Sequence, residues 1–286
     1  MPAAPANWST LVTSATCPDR RQTRILLPAS AKEACALARY HSAPYMAGAS
    51  ALQLGWNKTG RWPKHVVSLN AINTLHGCHR AADHWSLGAL SRLSELTRNP
   101  DLCAELPVLE TALLGVGAPG IRHIATLAGN IGFAGDLLPT LLVLDARLDW
   151  LDENGADQQT LLADWLTAPP AHALITRVRL PLPQPQQHLH MEKLASRSAF
   201  NPPLLNIASS WQWQPQADLR LAAGGAGLRP RRLQACEQAL AATADRPLTA
   251  RTLLPLLAAD LPELAEQPLL QIAANLVRAQ WHGSHA

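Results

Sequence analysis

Ile121-Arg122-His123-Ile124-Ala125-Thr126-Leu127-Ala128-Gly129-Asn130-Ile131 sits within the most glycine-dense part of the chain, GVGAPGIRHIATLAGNIGFAGD over residues 115–136. Its centre, Ala128-Gly129-Asn130, is a small-residue turn after an apolar stretch. Far upstream, Gly48-Ala49-Ser50 repeats the pattern after Tyr45-Met46-Ala47, which reads as a strand. Turns of this composition can aim successive backbone N–H groups into one concavity that holds phosphate oxygens. Glycine serves there where a side chain would block approach or φ must be positive. Either turn alone is more readily a tight turn with no ligand; their order in the chain is the informative feature.

Working outward, Pro28-Ala29-Ser30 leads into a helix over Ala31–Tyr40, with Ser30 and Glu33 in capping-box spacing. Ile25–Leu27 and Val66–Leu69 read as short strands. Trp85–Ala89 reads as another, running into Ser91 as the expected N-cap of a helix to Leu96. Asp101–Leu114 is helical and broken near Pro107, Leu137–Leu144 is helical, and Arg147–Leu151 returns to strand. The prolines within residues 181–188 mark a linker. Beyond it Met191–Ala195, Leu204–Trp213 and Leu219–Ala223 read as strands. Arg231–Ala242, Thr249–Ala259 and Pro268–Trp281 then read as helices, and Gly224-Gly225-Ala226-Gly227 as a turn. Strands followed by helices make the class α+β.

At 286 residues, 48% hydrophobic and 16% charged, the chain is long enough for about two domains and too apolar for disorder. A net charge of +3 argues against a nucleic-acid partner. No apolar run is long enough for a membrane span, and the start lacks a secretory pattern, so a cytoplasmic protein is expected. Cys17, Cys35, Cys78, Cys103 and Cys236 have no paired spacing, which leaves no ligand set for zinc or an iron–sulfur cluster and fits a reducing compartment. His76, His79 and His84, and the pair His188 and His190, lack a metal-binding arrangement, so no metal is expected. No dinucleotide fingerprint, P-loop or nucleophile elbow is present.

Taken together, the two turns resemble the FAD-binding subunit of the molybdenum hydroxylases, the xanthine dehydrogenase and carbon monoxide dehydrogenase group. The family's A-G-G-[TS]-x-L turn is matched by Ala47-Gly48-Ala49-Ser50-Ala51-Leu52 after the helix that follows Pro28-Ala29-Ser30. Its I-R-x-x-[AG]-T-[IL]-G-G-N-[IL] element is matched by Ile121–Ile131, followed by Asp136 and the Leu141–Ala146 segment. Lys193-Leu194-Ala195-Ser196-Arg197 resembles the family's K-[FL]-x-x-R strand, and Ala223-Gly224-Gly225 its C-terminal glycine turn.

The resemblance implies a PCMH-type FAD-binding fold of two lobes followed by a CO-dehydrogenase-flavoprotein-like C-terminal α+β domain. Its divisions would be an extension over 1–23, lobes of about 24–75 and 76–180, and a C-terminal domain over 189–286. It implies FAD held by Ala47, Gly48, Ala49, Ser50 and Leu52 in the first turn. Thr126, Gly129, Asn130 and Asp136 would form the second set, with Lys193 reaching in from the C-terminal domain. It further implies electrons received from a [2Fe–2S] subunit and passed to NAD+ or another acceptor, beside a molybdopterin subunit, with no acid–base pair on this chain. A flavin-free structural or assembly subunit and a free-standing flavin oxidoreductase are the alternatives. Three positions depart from the family: Ala49 and Ala128 replace glycines, and the 132–135 loop, Gly-Phe-Ala-Gly, is short. Alanine leaves the backbone available at Ala49 so long as φ stays negative.

Overall fold

A computed structural model describes residues 23–196, 202–212, 218–225, 227–242 and 249–283. The expected extension over 1–23, as well as Arg197, Trp213, Ala226 and Cys17, falls almost wholly outside them.

The chain opens with β1 (Arg24–Leu26), α1 (Ala31–His41), β2 (Tyr45–Met46), α2 (Ser50–Thr59) and β3 (His65–Ser68). Ser30 Oγ accepts from Glu33 N at 3.2 Å, while the Glu33 carboxylate reaches back to Ala29 N at 2.7 Å, so the expected cap forms one residue longer. Ala34, Cys35 and Ala38 make the buried face of α1. The strands pair in parallel in the order β1-β3-β2. Central β3 is therefore covered on both sides, which suits the wholly buried Val66-Val67.

A second, antiparallel sheet has the order β4-β5-β8-β6-β7, from β4 (Cys78–Arg80), β5 (His84–Gly88), β6 (Arg147–Leu151), β7 (Asp157–Leu161) and β8 (Leu174–Pro181). Between β5 and β6 run six short helices: α3 (Leu93–Leu96), α4 (Pro100–Glu105), α5 (Pro107–Leu114), α6 (Pro119–Ile124), α7 (Leu127–Gly132) and α8 (Leu138–Val143). Four of them carry Pro in the first turn, where its missing N–H costs nothing. The cap of α3 is Arg92, not Ser91, whose hydroxyl instead donates to Gly77 O at 3.0 Å. Helix α9 (Leu162–Thr167) follows β7.

Residues 182–187 connect β8 to β9 (His188–Ala195) through a turn closed by Gln184 and Gln187. β9 starts the antiparallel sheet β12-β11-β10-β9, with β10 (Pro203–Gln212), β11 (Asp218–Gly225) and β12 (Leu228–Arg232). The expected helix start at Arg231 is instead the end of β12; Pro230 is tolerated there because β12 is an edge strand. Helices α10 (Gln234–Ala241), α11 (Ala250–Asp260) and α12 (Pro268–Gly283) cover one face of this sheet. Trp211 and Trp281 meet edge to face there, 5.0 Å apart. The other face, through Ala208 and Ala222, joins the core around α8. β10 is consequently buried on both faces.

Candidate flavin site

The first turn is built by a strand running straight into a helix. After β2 the chain passes Ala47 and Gly48 to Ala49, whose φ of 56° places it in the left-handed region. The negative φ under which alanine would be tolerated freely is not met at Ala49: the junction needs the left-handed conformation that a second glycine would supply freely. Alanine holds it at a cost of about 1 kcal/mol. Ala49 offers α2 no side-chain cap, and no acidic residue lies in the first turn of the helix. The N–H groups of Gly48, Ala49, Ser50, Ala51 and Leu52 have no partner among the described residues; the first bond at this end is Gln53 N to Ala49 O, 2.9 Å. Unpaired amides with the positive end of the helix dipole behind them receive anions well.

The second turn differs from expectation. Thr126 caps α7, its Oγ1 accepting from Gly129 N at 3.2 Å, and Thr126 O accepts from Asn130 N. Leu127 N donates to Ser91 O and Ala128 N to Ala89 O, each at 3.0 Å. Every N–H from 127 to 130 is thus engaged within the protein, and this turn is not an anion nest. Asn130 folds inward: its Oδ1 accepts from Leu137 N at 3.2 Å and its carbonyl from Gly135 N at 2.8 Å. A Cβ at Gly135 would lie 2.4 Å from Asn130 Nδ2, so the short loop closes tightly over that side chain.

The two turns touch. A Cβ at Gly48 would lie 1.6 Å from the Ile124 carbonyl oxygen, so only glycine admits this approach of backbone to backbone. Ala47–Leu52 is thereby brought against the segment that leads into Thr126. Around the contact, Ile121, Ile124 and Phe133 remain substantially exposed, an apolar surface suited to a flat ring system.

Lys193 and Asp136 also come together, but with each other. Lys193 Nζ pairs with Asp136 Oδ2 at 2.7 Å and donates to Gly115 O at 2.7 Å, and Asn206 Nδ2 donates to Asp136 O at 3.0 Å. Both side chains of the pair are largely buried. Among the described residues no hydrogen bond or ion pair links them to the first turn. Sequence reasoning missed Arg122, whose Nη1 donates to Leu114 O, Val116 O and Gly117 O at 3.1, 3.0 and 2.8 Å. Arg122 and Lys193 therefore gather four successive carbonyls at the end of α5; the signal was an arginine inside the longest matched motif.

These residues suit a dinucleotide: free amides for a diphosphate, an apolar surface beside them, and no carboxylate in the receiving turn. Among the described residues no three metal-ligating side chains converge. Residues 21–183 match the FAD binding domain in molybdopterin dehydrogenase, and the chain belongs to that family of flavin-binding oxidoreductase subunits. It is 26% identical over 234 residues, 77% of this chain and 75% of the relative, to the xanthine dehydrogenase FAD-binding subunit of Escherichia coli O157:H7. It is 25% identical over 166 residues, 54% of this chain and 56% of the relative, to the nicotinate dehydrogenase FAD-subunit of Eubacterium barkeri. Its fold matches a chain of the reconstituted CO dehydrogenase from Oligotropha carboxidovorans with a TM-score of 0.78 at 20% identity, over 90% of this chain and 95% of that one. A chain of quinoline 2-oxidoreductase from Pseudomonas putida 86 matches with a TM-score of 0.75 at 19% identity, over 92% and 98%.

Proposed function

We propose that this chain holds FAD with its diphosphate at the start of α2 and relays electrons from a [2Fe–2S] subunit to NAD+ or another acceptor, in a complex with a molybdopterin subunit. The observation that carries this is the run of five N–H groups from Gly48 to Leu52 with no partner among the described residues, in a chain of this family. Relatives named as the FAD-binding subunit of xanthine dehydrogenase and the medium chain of carbon monoxide dehydrogenase support the multi-subunit setting.

Bound flavin supplies the redox chemistry; the protein supplies position and electrostatics. The amides of Gly48, Ala49, Ser50, Ala51 and Leu52 would receive the phosphate oxygens, and Ser50 would add its hydroxyl. Ala47 sets the approach of β2, and Thr126, Gly129 and Asn130 shape the opposing wall. Asp136 and Lys193 act one step away, fixing the end of α5 and the loop before α8. The divisions 24–75, 76–180 and 189–286 follow the three sheets in this reading. The unpaired cysteines Cys35, Cys78, Cys103 and Cys236 are compatible with a cytoplasmic setting.

Purifying the chain and recording its visible spectrum, before and after incubation with FAD and removal of free cofactor, tests the reading. Stoichiometric flavin absorbance is expected. A protein that stays colourless after incubation overturns it in favour of a flavin-free structural subunit.

A further inference from the structure

Residues 34–82 contain no aspartate or glutamate, yet include Arg39, Lys58, Arg61, Lys64 and Arg80. Topology collects much of this charge at one end of the parallel sheet. Arg24 opens β1 in register with His65 of β3, and Arg24 N donates to Lys64 O at 2.8 Å. Each helix of this β–α–β–α–β unit runs back against the strands, so α1 and α2 both finish at that same end. The ring of His41, the last residue of α1, lies 4.3 Å from the ring of His65, and Tyr40 packs on His41 at 4.7 Å. Lys58 lies in the last turn of α2, with Arg61 just beyond it, and the Trp56 and Trp62 rings meet at a tilt, 4.7 Å apart.

Among the described residues these cations have no counter-charge. Among the described residues, Arg24, Lys58, Arg61 and Lys64 form no ion pair, whereas Arg80, Arg179, Lys193, Arg220, Arg231 and Arg232 each meet a carboxylate. The His65 pKa is held below its ordinary value by partial desolvation and by the repulsion of His41, Arg24 and Lys64. Apolar surface lies alongside. Tyr40 is 82% exposed, and Ile25 and Leu27 are exposed on and beside edge strand β1.

We infer that this end of the β1–β3–β2 sheet is a docking face for a protein partner whose contacting surface is rich in aspartate and glutamate. Tyrosine, tryptophan and arginine mixed with aliphatic side chains is the composition of protein interfaces. Charge complementarity supplies orientation and a fast encounter. The face lies at the opposite end of the strands from the first turn, since α2 leaves β2 at the strands' C-terminal ends. An occupant there and a dinucleotide at Gly48–Leu52 do not compete, and the inference stands whether or not the flavin reading does. A duplex is a poorer occupant: four cations interleaved with aromatic and aliphatic groups do not form the continuous basic stripe of a nucleic-acid-binding surface.

The test uses the full-length tagged chain purified at low ionic strength from the cells that make it, then treated with a water-soluble carbodiimide. That reagent joins a lysine amine directly to a carboxylate, and the chain has only four lysines, Lys32, Lys58, Lys64 and Lys193. Amide cross-links from Lys64 or Lys58 to partner aspartate or glutamate are expected. The Arg24→Glu/Lys64→Glu variant should bind the co-purified partner at least about tenfold more weakly, with a flatter salt dependence and an unchanged melting curve. Unchanged affinity in that variant, or full acetylation of Lys58 and Lys64 within the assembled complex, overturns the inference. So does a chain that purifies alone, or one that retains duplex DNA instead of protein.

Discussion

Replacing Gly48 with alanine tests the contact between the two turns. The added Cβ would lie 1.6 Å from the Ile124 carbonyl oxygen and 2.5 Å from its carbon, where ordinary contact needs about 3.5 Å. Both atoms are backbone, so no side chain can rotate away, and the turns must separate. Overpacking costs typically 1–3 kcal/mol, roughly, and this arrangement belongs at the upper end, about 3 kcal/mol. For a chain of this size that lowers the melting temperature by about 6–12 °C. The paired control is Gly55→Ala in the same helix, where nothing lies within 4 Å of the new Cβ. There alanine's better helix propensity should add about 0.5–1 kcal/mol. Thermal melts followed by circular dichroism give both values, and flavin fluorescence titration gives FAD affinity, expected to fall at least about tenfold for Gly48→Ala only. A Gly48→Ala protein that melts with the wild type and binds FAD normally would refute the contact and the reasoning built on it.

Three further outcomes follow from the same geometry. Ala49→Gly should raise stability by about 0.5–1 kcal/mol in denaturant titrations by releasing the left-handed strain at φ 56°. Lys193→Met leaves Asp136 largely buried without its cation and should cost about 2 kcal/mol in the same titrations, while FAD affinity in the folded fraction stays close to wild type. The hydrogen bond from Arg220 holds the Asp218 carboxyl below its ordinary pKa, so its contribution is full above about pH 4 and lost as pH falls through the lower folded value. Asp218→Asn should flatten that acid limb of the stability profile, and an unchanged limb would remove Asp218 from the account.

Much of the fold was legible in the sequence because its signals are local. The Ser30 cap, the break at Pro107, and the helical stretches of the C-terminal half each fix an element without distant partners. β8 was not legible: Leu174–Pro181 mixes arginines with aliphatics, and its place at the centre of a sheet is set by β5 and β6 from either side. β12 was hidden for a similar reason, because Arg231 and Arg232 read as a helix start until Glu263 and Glu237 are seen to pair with them. At the site, the motif residues marked the two turns but not their different jobs. Whether an N–H is free depends on what packs behind it: Ser91 and Ala89 supply carbonyls to the second turn, and among the described residues nothing supplies them to the first. Lys193 likewise looked available until Asp136 and Gly115 closed around it.

The amides at the start of α2 are the proposed seat of the FAD diphosphate. Hydrogen–deuterium exchange on the purified chain, with and without FAD, measures this directly. Amides within residues 48–52 should exchange rapidly in the free protein and become protected in step with flavin binding, while those of 127–130, already bonded, should be slow in both states. Flavin binding that leaves residues 48–52 exchanging as before would contradict the account.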